Sequence, residues 1–285
     1  MTMQGNPSGG RPRFTIERVI SASLNVVSAN VLRFLAIILA VVLPGAVLIA
    51  LAILVMTGGA PPTSTEHGLN FKLEGGEGAK LLFILFLAAV GLAVYVLIQS
   101  AITTGALQTL RGRKATIGAC LSNGIKVLPR VYLASLCLGL AGTLVVLLFR
   151  LVTPPDIAGA VAILYSLAFL AATSFILVLT WVYIPVIIVE RAGPIACFRR
   201  SLALTAGRRW PIFGIFALIL LANWLVGQIG QILPQIGAPA AGSALSVAAG
   251  LFFMALSGVL AAVGYYGLRA EKEGVTIEDI AKVFD

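Results

Sequence analysis

Side chains that commonly carry out catalysis are few and scattered in this chain of 285 residues. The single histidine, His67, stands next to one carboxylate, Glu66, in a stretch rich in glycine and proline. One histidine beside one carboxylate does not make up a zinc ligand set, and no other histidine is available as the base that a Ser or Cys nucleophile elsewhere in the chain would need. The sequence therefore predicts a protein that is not an enzyme and that binds neither a metal nor a cofactor.

The three cysteines do not change that prediction. Cys120, Cys137 and Cys197 lack the short spacing of metal ligands, and their odd number forbids a full set of disulfides. We interpret them as reduced structural thiols. The chain also lacks the G-x-x-x-x-G-K-[ST] loop that cradles nucleotide phosphates.

A second group of residues is polar but neutral, and it lies within long apolar stretches. These side chains could line a pathway for a neutral solute, or they could form hydrogen bonds between helices, worth about 0.6 kcal/mol each on average. Both interpretations stay open from the sequence. The candidate pathway residues are Gln99, Asn223, Gln228 and Gln231.

Basic residues form the third group, with 20 Lys and Arg against 11 Asp and Glu. Each such residue near a membrane surface is attracted to anionic headgroups by about 1 kcal/mol. We expect them to contact anionic membrane lipids or a membrane partner protein, and we expect no nucleic acid. The candidate contact residues are Lys126, Arg130, Arg199, Arg200, Arg208 and Arg209.

Long apolar helices must position these residues. The chain is 59% hydrophobic and only 11% charged, whereas soluble domains carry about 25% charged residues. A helix needs roughly 20 apolar residues to cross a bilayer, and a helix satisfies its own backbone in lipid. The first apolar run could be a signal peptide, but it exceeds the usual 7–15 apolar residues. We predict an all-α polytopic membrane protein with six transmembrane helices, near residues 33–56, 81–106, 131–151, 161–189, 211–233 and 243–267.

The distribution of basic residues predicts the orientation. With six spans both termini share one side, and all Lys and Arg except Lys72, Lys80 and Arg150 fall on that side. The positive-inside rule then places both termini in the cytoplasm. We predict a disordered N-terminus (1–13), a membrane domain (14–268) and a cytoplasmic tail (269–285).

A short unit recurs three times, in segments of about 14–110, 114–189 and 193–268. Each begins with a polar, partly basic stretch, near Thr15, Thr116 and Gly193, and continues into a hydrophobic hairpin. We predict three short interfacial helices on the cytoplasmic side, which could brace the hairpins or form a docking surface. An apolar stripe runs along each: Ile16, Ile20 and Leu24; Ile117, Leu121 and Ile125; Pro194, Phe198 and Leu202.

The third unit resembles a known family. Residues 193–205 (GPIACFRRSLALT), 207–210 (GRRW) and 265–269 (YYGLR), followed by 271–274 (EKEG), resemble the membrane domain of glycerophosphoryl diester phosphodiesterases and related stand-alone bacterial membrane proteins of unknown function. The resemblance implies a six-span bundle in the inner membrane and assigns no proven role to it. Active members carry a separate catalytic barrel with histidines and metal-binding carboxylates, so we expect no such hydrolysis from this chain, whose only histidine is His67.

Two functions remain open at this point. The first is a scaffold or accessory protein that contacts anionic lipid or a partner protein through the basic helices. The alternative is a facilitator or permease subunit for a neutral or amphipathic solute, such as a lipid.

Overall fold

The computed structural model describes residues 14–58, 63–65, 68–70, 76–152 and 160–274; the predicted N-terminal segment 1–13, His67 and most of the predicted tail lie outside the described residues. A short antiparallel hairpin, β1 (Thr63–Thr65) and β2 (Gly68–Asn70), lies in the connection between the first two helices. The fold is otherwise helical, with α1 (Ile16–Met56), α2 (Glu77–Leu110), α3 (Ile117–Val152), α4 (Ala160–Thr180), α5 (Tyr183–Glu190), α6 (Ala196–Thr205), α7 (Arg209–Gln235) and α8 (Pro239–Glu273).

Six helical segments in the described part of the chain are long and apolar enough to cross a membrane. They are α1, α2, α3, α4 together with α5, α7 and α8, and each contains one of the predicted spans. The prediction of an all-α protein with six candidate spans is therefore confirmed. The helices exceed the predicted spans: α8 has 35 residues and is about 52 Å long, against a hydrocarbon core of about 30 Å.

The fourth span is broken near its end, between α4 and α5. Pro185 cannot donate the helical hydrogen bond to the carbonyl of Trp181, and its ring crowds that carbonyl. The helix stops at Thr180 and resumes at Tyr183. The break lets the Trp181 ring reach α8, where it lies against Gly264.

The three amphipathic stretches take different forms, and the prediction of three short interfacial helices is not confirmed. The first is the part of α1 before a kink at Asn30, whose backbone is non-helical (φ −131°, ψ 18°), and the second continues into the rest of α3. The third is the separate helix α6, with 10 residues. It ends before Gly207, whose φ of +81° belongs to the left-handed region that glycine adopts easily.

The three stretches are buried in the same register. Their first helical hydrogen bonds run from Val19 to Thr15, from Cys120 to Thr116 and from Cys197 to Gly193. Those three donor residues are buried, as are the residues four positions later: Ser23, Gly124 and Ser201. The apolar stripes predicted from the sequence lie one position after these buried residues and stay half-buried or exposed. Whether the units form a true repeat with threefold symmetry stays a prediction.

Burial is concentrated at one end of the bundle, which we call the basic end: the start of α1, the end of α2, the start of α3, the segment from α5 to the start of α7, and the end of α8. Most of residues 96–107 of α2 and most of residues 255–268 of α8 are buried there. The two helices approach closely at Gly258, where a Cβ atom would lie 2.9 Å from Ile102 Cγ2. Toward the opposite end, the far end, most side chains are exposed.

Candidate functional site at the basic end

Four of the residues predicted to contact lipid or a partner are two adjacent pairs, Arg199–Arg200 and Arg208–Arg209. In each pair one arginine faces the bundle and the other is exposed. Arg200 and Arg208 form ion pairs with glutamates of the bundle. Arg199 and Arg209, their neighbours in sequence, are exposed. Consecutive residues of a helix point about 100° apart, so Arg199 and Arg200 on α6 face different directions.

Arg200 belongs to a closed ring of hydrogen bonds that ties α5 and α6 to α8. Its Nε donates to Glu190 Oε1 and Oε2 at 3.0 and 2.9 Å, and its Nη2 donates to Glu273. Arg269 Nε donates to the other oxygen of Glu273 at 2.6 Å, and Arg269 Nη1 donates to Tyr265 Oη at 3.0 Å. Tyr265 Oη closes the ring by donating to Glu190 Oε1 at 2.8 Å.

A second contact holds the start of α7 and the start of the described chain on α8. Arg208 Nε donates to Glu271 Oε2 at 3.0 Å, and its Nη2 donates to Glu271 Oε1. The same carboxylate accepts the backbone N–H of Phe14 at 3.2 Å. The Phe14 ring is buried beside Gly267, where an added Cβ would lie 3.0 Å from the ring. Glu271 therefore joins three separate segments of the chain.

The ring of hydrogen bonds around Arg200 shifts the pKa values of Glu273 and of Arg200 itself. Burial raises the pKa of Glu273, but the hydrogen bonds from Arg269 and Arg200 outweigh burial, and the pKa of that carboxyl lies below its usual value. For Arg200 burial lowers the pKa, and the bonds to Glu273 and Glu190 more than reverse this effect, so the pKa is raised. Both groups stay charged at neutral pH.

Basic side chains are exposed around these paired groups. We call Lys126, Arg130, Arg199 and Arg209 the outer cations; all four are exposed, and none has an acidic partner among the described residues. The guanidinium of Arg209 lies over the Phe175 ring, 5.6 Å from its centroid. Beside it, Trp210 is 83% exposed. A cation flanked by an exposed indole is suited to the border between lipid headgroups and acyl chains.

The structure separates the residues proposed as a polar pathway. Gln99 is buried between α2 and α8, and its amide donates to Ser257 Oγ at 2.9 Å and to the Met254 carbonyl at 3.3 Å. Asn223 and Gln231 are exposed on α7, and Gln228 is half-buried. No hydrogen bond in the described part of the chain connects Gln99 to the three α7 amides. The described contacts therefore assemble no pathway from these four residues.

Groups suited to metal binding or nucleophilic chemistry are not brought together. Across the described ranges, no three His, Cys, Asp or Glu residues are placed to hold a metal ion. Cys120, Cys137 and Cys197 are free thiols, and Cys137 is exposed. That the protein is not an enzyme stays a prediction, since His67 lies outside the described residues.

The glutamates of the basic end could not be paired from the sequence. Glu190 stands 10 residues from Arg200 and 75 residues from Tyr265, too far for spacing to indicate either contact. Glu271 and Glu273 stand on the final turns of α8, and the sequence showed only that they were near Lys272 and Arg269. The available indication was that few acids stand among many cations on this side, since a carboxylate surrounded by arginines is expected to pair with some of them.

Comparison with family models, with curated proteins and with solved structures finds no match to this chain. The resemblance to the phosphodiesterase membrane domain therefore stays a prediction based on residues 193–210 and 265–274.

Proposed function

We propose that this integral membrane protein is a non-enzymatic accessory or scaffold protein that binds anionic phospholipids with the outer cations. The observation that carries the proposal is the division of charges at the basic end. Glu190, Glu271 and Glu273 are bound by Arg200, Arg208 and Arg269, and the outer cations are left exposed. A bacterial inner membrane with the basic end in the cytoplasm would bring these cations to the anionic leaflet surface.

Lipid is favoured over a protein partner because the cations are mixed with exposed apolar side chains. Ile195 is 73% exposed and Trp210 is 83% exposed, and both lie close in sequence to Arg199 or Arg209. Arginine and lysine can place their aliphatic parts against acyl chains while the charge reaches a phosphate. A surface of this kind matches a phospholipid, which presents both chemistries at once.

The proposal is tested by reconstituting the protein in bilayers with equal amounts of phosphatidylglycerol and phosphatidylcholine. After gentle extraction, the lipids that co-purify are measured by mass spectrometry. The wild type should be enriched in phosphatidylglycerol, and replacement of Lys126, Arg130, Arg199 and Arg209 by Gln should lower the enrichment severalfold.

The matched control replaces the far-end cations Lys80 and Arg150 by Gln, which should leave the enrichment unchanged. Equal enrichment in the wild type and the four-residue variant would contradict lipid binding. If the variant instead released a co-purifying protein and kept its lipids, the same surface would bind a partner protein.

A facilitator or permease role for a neutral or amphipathic solute has less support. Its candidate residues are divided between the α2–α8 contact and the exposed side of α7. The same bilayers can be used to measure flux of a labelled lipid between leaflets, and the wild type should show only the flux of protein-free vesicles. Faster flux in the wild type that Gln99→Leu or Asn223→Leu abolishes would instead support the facilitator role.

A further inference from the structure

The exposed side of α7 carries a polar stripe in the middle of an apolar helix. Asn223, Gly227 and Gln231 are spaced four residues apart and therefore lie along one side. Asn223 and Gln231 are exposed, and no atom lies within 4 Å of the Cβ position of Gly227. No hydrogen bond in the described part of the chain satisfies either amide.

The depth of Asn223 makes this exposure costly. Helix α7 has 27 residues, about 40 Å, and Asn223 lies near its midpoint. Apolar side chains surround the amide on the same helix, including Leu220 and Trp224, which are 62% and 57% exposed. A primary amide in hydrocarbon without a hydrogen-bond partner costs free energy, and association with another polar helix removes that cost.

We infer that the Asn223–Gly227–Gln231 side of α7 is the contact surface of a homodimer. A carboxamide has both donors and an acceptor, so two copies of Asn223 satisfy each other. Two copies inserted in the same direction can pair through this side only in parallel, about a twofold axis normal to the membrane. Each of the three residues then lies opposite its own counterpart.

Gly227 supplies the close approach that the amides require. A glycine between two polar positions on one helix side allows two helix backbones to come near, as small residues do at contacts between transmembrane helices. The glycines of α7 and α8 that contact each other within the chain are different ones: Gly230 and Gly242 are buried, with a Cβ on Gly242 only 2.6 Å from the Gly230 carbonyl. Gly227 is therefore not needed for the α7–α8 hairpin.

The test is disulfide cross-linking of the full chain, diluted in phosphatidylcholine vesicles. Cys137→Ser first removes the exposed native thiol, whereas Cys120 and Cys197 are buried. Leu220→Cys places a thiol on the polar side, and Leu225→Cys places one about 140° around the helix. Mild oxidation should cross-link Leu220→Cys into a dimer and leave Leu225→Cys monomeric.

Variants in the Leu220→Cys background then test the contact itself. Gly227→Leu, and Asn223→Leu combined with Gln231→Leu, should each abolish most of the cross-linked dimer. Gly250→Leu is the matched control, because Gly250, like Gly227, has open space around its Cβ position. The inference is overturned if Leu220→Cys stays monomeric, if Leu225→Cys cross-links equally, if Gly227→Leu leaves the dimer intact, or if the product contains another protein. Vesicles without anionic lipid keep this result independent of the proposed lipid binding.

Discussion

Arg200 on α6 holds both carboxylate oxygens of Glu190, the last residue of α5, at 3.0 and 2.9 Å. This two-point contact fixes α6 against the end of the fourth span. Arg191, which follows Glu190, is the one non-glycine residue with positive φ among those described, at 52°. The chain thus reverses sharply at Arg191, and the Arg200–Glu190 pair holds the two sides of the reversal together.

Breaking this pair should destabilise the protein. The side chains of Arg200 and Glu190 are 32% and 24% exposed, so the loss should fall between that of exposed and buried ion pairs, about 1–3 kcal/mol for Arg200→Gln. Thermal unfolding in detergent, followed by tryptophan fluorescence, measures it. Arg199→Gln is the matched control and should unfold at the wild-type temperature; an equal loss in both variants would show that Arg200 has no special structural role.

The contact of the Trp181 ring with Gly264 should tolerate no side chain. A Cβ at Gly264 would lie 2.4 Å from Trp181 Cη2, so Gly264→Ala forces the ring or α8 to move, at a cost of about 1–3 kcal/mol. The unfolding midpoint should fall, and Trp181→Leu combined with Gly264→Ala should recover part of the loss. Gly250→Ala, in open space, should have almost no effect.

Acid should weaken the ring at the basic end. The pKa of Glu273 is lowered by Arg269 and Arg200, so its stabilising contribution is complete above the unfolded value of about 4.3 and is lost as the pH falls through the lower folded value. The stabilisation that Glu273 contributes should therefore stay constant between pH 7 and 5, and it should decline below about pH 4 together with the unfolding temperature. Glu273→Gln should be less stable than wild type at pH 7, and the difference should shrink in acid. A difference that grew in acid would contradict the assignment.

Gln99 should matter for stability only. Its amide joins α2 to α8 through Ser257 Oγ and the Met254 carbonyl, and hydrogen bonds of this kind contribute about 0.6 kcal/mol on average, with a maximum near 1.7. Gln99→Leu should lower the unfolding free energy by an amount in this range, measured in mixed micelles with a denaturing detergent. Ser257→Ala should lose a comparable amount, and the double variant should lose less than the sum.

The sequence was sufficient to predict the spans, because hydrophobic length and the absence of charge determine them independently of tertiary contacts. It also indicated the starting residues of the three amphipathic stretches, since Thr15, Thr116 and Gly193 all accept the first helical hydrogen bond. Whether a stretch is a separate helix was not predictable in this way. That depends on local breaks in the backbone: non-helical Asn30 kinks the first stretch, left-handed Gly207 follows the third, and the second continues into α3.

The partners of the basic residues could not be predicted either. Arg199 and Arg200 are the same residue type at adjacent positions, and only the rotation of α6 against the bundle decides which one binds Glu190. The apolar stripe predicted as the organising feature of each stretch is one position away from the buried residues, because small side chains such as Ser23 and Gly124 allow closer contact than Leu24 or Ile125 would. Periodicity detects apolar residues, whereas the close helix contacts here use small ones.

The three stretches should respond alike to substitution if they are structurally equivalent. Ser23 and Ser201 are fully buried, and a Cβ on Gly124 would lie 3.2 Å from Leu97 Cδ1 and 3.5 Å from Ala101 Cβ. Ser23→Leu, Gly124→Leu and Ser201→Leu should each lower the unfolding free energy by about 1–3 kcal/mol through overpacking. Leu24→Ala, Ile125→Ala and Leu202→Ala, on the exposed side, should each change it by less than about 0.5 kcal/mol. Sensitivity at only one of the three buried positions would contradict the equivalence, because the common register predicts the same steric conflict in every unit.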